Sequence, residues 1–146
     1  MHFAPDAEEA LRFAVELCNT VPSASRSGED ELATPDLLVA LLHENQYSGR
    51  IDGDEEELRQ VHETRDLLRR AWTLPRDEAV GEVNAMLADA HASPYLMRHD
   101  GFDWHLHATS LEAPLAERIR VEIALALVDV IRSNETDRLR SCAADD

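Results

Sequence analysis

The sequence predicts a mainly α fold, an α+β arrangement with about five helices and one β-hairpin. Three observations carry that expectation. Apolar residues recur at three- and four-residue spacing in five separate stretches. Residues 94–108 switch instead to a period of two around Asp100-Gly101, a two-residue turn signal. The last stretch, ending at Ser133, is apolar on nearly every side, as a long buried C-terminal helix would be.

The first helix is expected from Asp6 to Val21, with Ala10, Ala14, Leu17 and Val21 on one stripe beside Phe13 and Cys18. Pro22 to Asp30 is small and polar, hence a loop. Thr34-Pro35 supplies a cap and a first-turn proline for a second helix carrying Leu37, Leu38, Leu41 and Leu42. A third runs from about Asp54 to Trp72 on Leu58, Val61, Leu68, Ala71 and Trp72. It stops at Leu74-Pro75, because the residue before a proline is pushed out of helical space. A fourth, Arg76 to Ala90, uses Val80, Val83, Met86 and Leu87.

Pairing His99 with Phe102 across Asp100-Gly101 sets the hairpin register. Tyr95, Met97, Phe102, Trp104 and Leu106 then share an apolar face, with His99 at its turn end. Leu96, Arg98, Asp103, His105 and His107 share the wet one, with Arg98 opposite Asp103. The hairpin should pack on the last helix and the third. That last helix starts near Ser110–Pro114 and carries Leu111, Leu115, Ile119, Ile123, Leu127 and Ile131 at four-residue spacing. Within its apolar middle only Glu122 and Asp129 interrupt.

A chain of 146 residues is sized for one domain with a substantial core. Thirty acidic residues face fourteen basic ones, all arginine, for a net charge of −16. Such a surface repels phosphate, which argues against nucleic-acid binding through the general surface of this domain. The arginine-only usage reads as a bacterial coding bias. No apolar run has membrane-spanning length, and no charged-then-apolar leader opens the chain. Cys18 and Cys142 form no disulfide framework, so a reduced, cytoplasmic setting is expected.

Candidate chemistry gathers on the hairpin. His105 and His107 lie two apart on a strand and project from one face, a spacing that suits two metal ligands. The same spacing equally describes two solvated surface imidazoles. A second reading joins Arg98, Trp104, His105 and His107 to Arg65, Arg69 or the neighbouring Arg70 of the third helix. Together they would receive a small anionic ligand, since the planar guanidinium fork suits carboxylate or phosphate. Against it, arginines on so acidic a protein also serve to neutralise neighbouring acids. No nucleophile elbow, phosphate loop, zinc-protease helix or paired-cysteine cluster occurs, so no enzyme is indicated.

The tail, Arg138-Leu139-Arg140-Ser141-Cys142-Ala143-Ala144-Asp145-Asp146, reads either as a polar end with an incidental cysteine or as the start of a metal motif. One thiolate cannot hold a structural zinc, which needs four ligands.

Four segments occur in order: Asn19-Thr20-Val21, Val83-Asn84-Ala85-Met86-Leu87, the hairpin Arg98 to His107, and Leu139 to Asp146. In that order the chain resembles the bacterial CGNR zinc-finger proteins, whose N-terminal part is the ABATE domain and which are described as stress-induced transcription regulators. The resemblance implies residues 1–137 as an ABATE-like regulatory domain and 138–146 as the start of a zinc-finger segment, with Cys142 as first ligand of an incomplete zinc site. It implies no cofactor in this chain, zinc only in a longer one, and DNA contact through that missing finger. Related hairpins are implied to carry a third histidine two positions on, where this chain has Thr109. The expected role is a ligand-sensing domain; the alternatives are a metal-binding protein or enzyme centred on His105 and His107, or a homodimerisation module.

Overall fold

The computed structural model describes residues 3–98, 101 and 103–140. Among them the chain forms five α-helices: α1 (Pro5–Cys18), α2 (Pro35–Glu44), α3 (Glu55–Thr73), α4 (Arg76–Asp89) and α5 (Leu115–Arg132). Strands β1 (Tyr95–Met97) and β2 (His105–His107) pair antiparallel between α4 and α5. A short 3-10 turn, Thr136–Arg138, follows α5.

Local chemistry starts and stops these helices. The Thr34 hydroxyl accepts from the Leu37 amide at 3.3 Å, and the Asp54 carboxylate accepts from Glu57 at 2.9 Å. The buried Glu57 carboxylate reaches back to the amides of Asp52 and Gly53 at 2.8 and 2.9 Å, so its charge is hydrogen-bonded. The first helix ends at Cys18, short of the expected Val21. Thr20 donates its hydroxyl to the Leu17 carbonyl at 2.6 Å, and Val21 is buried from the loop instead.

Three helices close without glycine. Gln46, His91 and Asn134 each take positive φ (53°, 49° and 54°) just past α2, α4 and α5. The next amides, of Tyr47, Ala92 and Glu135, reach back to the carbonyls of Leu42, Leu87 and Val130. This is the Schellman closure, which usually uses glycine at its left-handed position.

The last helix is central, as its composition predicts. It packs against α1, α3 and α4, with Leu115, Ile119, Ile123 and Leu127 of its stripe almost fully buried. Leu37 and Val80, expected in the core, are 45% and 38% exposed; isolated apolar side chains at helix surfaces are ordinary.

The hairpin exists where the period changes, but its register differs by one residue. Tyr95 pairs with His107, Leu96 with Leu106, and Met97 with His105. A one-residue slip exchanges the faces of one strand relative to the other. Tyr95, Met97, His105 and His107 now share a face. Leu96, Trp104 and Leu106, two of them expected in the core, stand 64%, 61% and 45% exposed. The difference is tertiary: this register turns His107 toward Glu122 of α5 at 3.7 Å, and Asp6 of α1 accepts from the Leu106 amide of the same strand. The expected His99–Phe102 pair and the apolar placement of Phe102 lie outside the described residues. Among the described residues the polar contacts of β2 reach α5, as expected, and α1; none of these reaches α3, where the hairpin was also expected to pack.

Candidate functional site

The most chemically loaded place in the molecule is the seam between β2 and α5. An extended strand projects alternate residues to one side, so His105 and His107 turn together toward the helix. Their Nε2 atoms are 2.9 Å apart and their rings meet edge to face with centroids 4.8 Å apart. His105 Nδ1 lies 2.7 Å from the Asp103 carbonyl; a carbonyl only accepts, so this nitrogen carries the hydrogen. His107 is buried, and its Nδ1 faces Glu122 Oε1 at 3.7 Å.

Glu122 is held from the far side by Tyr47, whose hydroxyl donates to Oε2 at 2.7 Å. Burial pushes the Tyr47 phenol well above its ordinary range, and the Glu122 charge beside it pushes further the same way. Tyr47 is wedged against Phe13, ring centroids 5.1 Å apart, and below the Arg118 guanidinium at 6.0 Å. Asp6, in the first turn of α1, accepts from the Leu106 amide at 3.1 Å and ties the edge of β2 to that helix. The seam thus runs from a surface strand through imidazole, carboxylate and phenol into the core.

The structure distributes the expected ligand residues over three places. His105 and His107 meet at the seam. Arg98 and Trp104 stack on the outer face, guanidinium 4.9 Å from the ring centroid, with Asp103 at 3.9 Å. Arg65 and Arg69 are elsewhere and occupied. Buried Arg65 grips Asp30 through two bonds of 2.9 and 2.7 Å and also reaches Thr20 at 2.9 Å, while Arg69 donates to the Cys18 carbonyl at 2.5 Å. These contacts mark the C-terminal end of α1, whereas the hairpin meets α1 at Asp6, twelve residues or about 18 Å of helix away. Arg70, on the same helix, is exposed and pairs loosely with Glu82 at 3.9 Å. The anion pocket as drawn from sequence is therefore not assembled. Its Arg65 serves to pin the loop after α1, which only the fold could reveal. Trp72 is half-buried against the core and donates to the Arg140 carbonyl at 3.2 Å. Cys142 lies outside the described residues.

Glu122, Tyr47 and Asp6 escape the sequence-level site. Glu122 left a trace, as one of two acids breaking the apolar stretch of α5; Tyr47, in a loop, left none.

A family model described as "Putative stress-induced transcription regulator", ABATE, matches residues 11–134. The chain belongs to the ABATE family. The match spans α2 to α5 and most of α1, so the seam, apart from Asp6, lies within the ABATE region. Among proteins of curated function, none matches this ABATE chain. Among its described residues no helix is long and apolar enough to cross a membrane.

Proposed function

We propose that this chain is the regulatory domain of a transcription regulator, receiving a small ligand at the seam between β2 and α5 and passing the response along α5. One observation carries the reading. A phenol, a carboxylate and an imidazole pair are placed between the hairpin and the central helix, where an apolar contact would be the cheaper filler. A ligand that binds one seating of the hairpin better than another shifts the position or order of α5. The net charge of −16 supports DNA contact through a segment other than this domain, such as the zinc finger that the resemblance implies.

Two measurements test this. Fluorescence anisotropy with a random duplex near 0.15 M salt should show no binding by residues 1–146 up to about 100 μM, weaker than typical non-specific DNA binders. Micromolar binding would overturn the division of labour. Hydrogen exchange across a panel of small anions and metal ions should find one that slows exchange in both β2 and α5. A homodimer is the second reading, favoured by the contiguous Leu96, Trp104 and Leu106 on the outer hairpin face. Sedimentation at 100 μM checks it, and a monomer there removes it.

A further inference from the structure

We propose that residues 134–140 form a latch, a strap folded back over one end of the helical body that opens as a unit while the helices stay folded. The strap begins where α5 is stopped. Arg76, at the start of α4, donates from Nε and Nη2 to the Ile131 carbonyl at 3.1 and 2.8 Å. That clamp secures the end of α5 from the body side, so an opening need not unwind the helix. Asn134 follows in left-handed conformation, φ 54°, and turns the chain out of the helix. Asparagine tolerates this region better than most residues with a side chain, which suits a hinge.

Beyond the hinge the strap makes its 3-10 turn, the amides of Arg138 and Leu139 donating to the carbonyls of Glu135 and Thr136 at 3.0 Å each. Those bonds are local and travel with the strap. The hold on the body comes from elements distant in sequence. Leu139 is partly buried against the core. The Trp72 indole, in the last turn of α3, donates from Nε1 to the Arg140 carbonyl at 3.2 Å. The Arg138 guanidinium lies 5.0 Å from the centroid of the Phe3 ring, which precedes α1. None of residues 134–140 is buried; they are half-buried or exposed. A segment with so little buried apolar surface opens at lower free energy than the core helices.

Its position relates the strap to the hairpin. Phe3 stands three residues before Asp6, whose carboxylate accepts from the Leu106 amide of β2. The same end of α1 therefore touches both the strap and the hairpin. Closed, the latch fixes the direction in which the chain runs on from Arg140; open, it releases that direction and bares Trp72. As the readout of the seam the latch rests on the ligand response proposed above, but its contacts lie outside the seam.

Hydrogen exchange of residues 1–146 without ligand, followed from zero to about 1 M urea, tests the latch. The Arg138 and Leu139 amides should exchange at least about 10-fold slower than in an unstructured peptide, and at least about 100-fold faster than the Ile123 amide within α5. Their rates should hardly respond to urea, because a strap exposes little surface on opening, whereas the Ile123 rate should climb steeply. Trp72→Phe, which deletes the indole donor, should speed strap exchange about 3- to 10-fold. Leu139→Ala should remove most of the protection. Trypsin cleavage after Arg138 and Arg140 should follow the same order. A strap that exchanges with the rate and urea response of Ile123 belongs to the body, and one that exchanges as a free peptide is not closed; either result overturns the latch. A latch that opens as described, while no ion of the panel above slows β2 and α5, keeps this inference and removes the ligand response. A ligand response in a chain whose strap opens only with the body does the reverse.

Discussion

Among the described residues Arg118 is the largest side chain that is almost completely buried, and it shows how a single residue can close two loops. From the first turns of α5 its guanidinium donates to the carbonyls of Ser48 at 2.6 Å, Ala113 at 3.0 Å and Arg50. Gly49 passes directly over it: φ is +89°, and an added Cβ would sit 2.5 Å from Arg118 Nη1 and 2.7 Å from the Leu111 carbonyl. Arg118→Met strips three part-buried carbonyls of their donor and should cost about 3 kcal/mol. Gly49→Ala, strained in both backbone and space, should cost about 2 kcal/mol. Urea midpoints measure both, and losses under about 0.5 kcal/mol would refute this account. Cys18 offers a pH test. Burial raises its thiol from 9.0 to about 11 against the lowering pull of Arg69 and Arg65. The thiol of the unfolded chain ionises first, so this contribution is intact below pH 9 and is lost as pH rises toward 11. The stability of a Cys142→Ser variant should fall more steeply over that window than that of the same variant with Cys18→Ala.

At the scale of elements, the left-handed closures of α2 and α4 predict a gain. Gln46 and His91 are side-chain-bearing residues in a conformation that glycine adopts freely. Gln46→Gly and His91→Gly should each raise stability by about 0.5 kcal/mol, the released strain exceeding the entropy that glycine adds to the unfolded chain. The hairpin provides a sharper contrast, because the two registers assign opposite environments to the same side chains. With Trp104 and Leu106 outward, Trp104→Ser and Leu106→Lys should change stability by less than about 0.5 kcal/mol. With the register that an Asp-Gly turn suggests, Trp104→Ser would cost about 3–5 kcal/mol. Thermal melts of the two variants decide between them.

For the molecule as a whole, a charge of −16 on 146 residues means that folding compresses like charges. Raising NaCl from about 10 mM, where the screening length is about 30 Å, to about 0.15 M, where it is about 8 Å, should relieve that repulsion. The melting temperature should therefore rise by several degrees; a fall would mean that specific ion pairs dominate. The pairs present argue for the rise. Arg59 with Glu56 and Glu63, and Arg50 with Asp52, are exposed, whereas Arg65–Asp30 is sheltered. There Arg65 holds the Asp30 carboxyl below its ordinary value, so its contribution is present at neutral pH and declines as pH falls past the ordinary value of 3.8 and through the lowered folded one.

The helices were legible because each buries one stripe, and a stripe needs only local spacing to be seen. Leu58, Val61, Leu68 and Ala71 of α3, and Leu115 through Leu127 of α5, are buried where their periodicity places them. Thr34, Asp54 and Pro75 marked the helix boundaries through equally local chemistry. The candidate site was legible in part: His105 and His107 stood out by spacing, while Arg65 and Arg69 were drawn to them by charge alone and lie at the other end of α1. What only the tertiary structure decided is the face on which those histidines stand. Three-residue strands hold few cross-strand bonds of their own, so their register answers to whatever they dock against. Here that is Glu122, backed by Tyr47, together with Asp6. A polar partner reaching in from a distant helix outweighed the apolar alternation of the strand, and that long-range choice leaves no mark in the spacing of neighbouring residues.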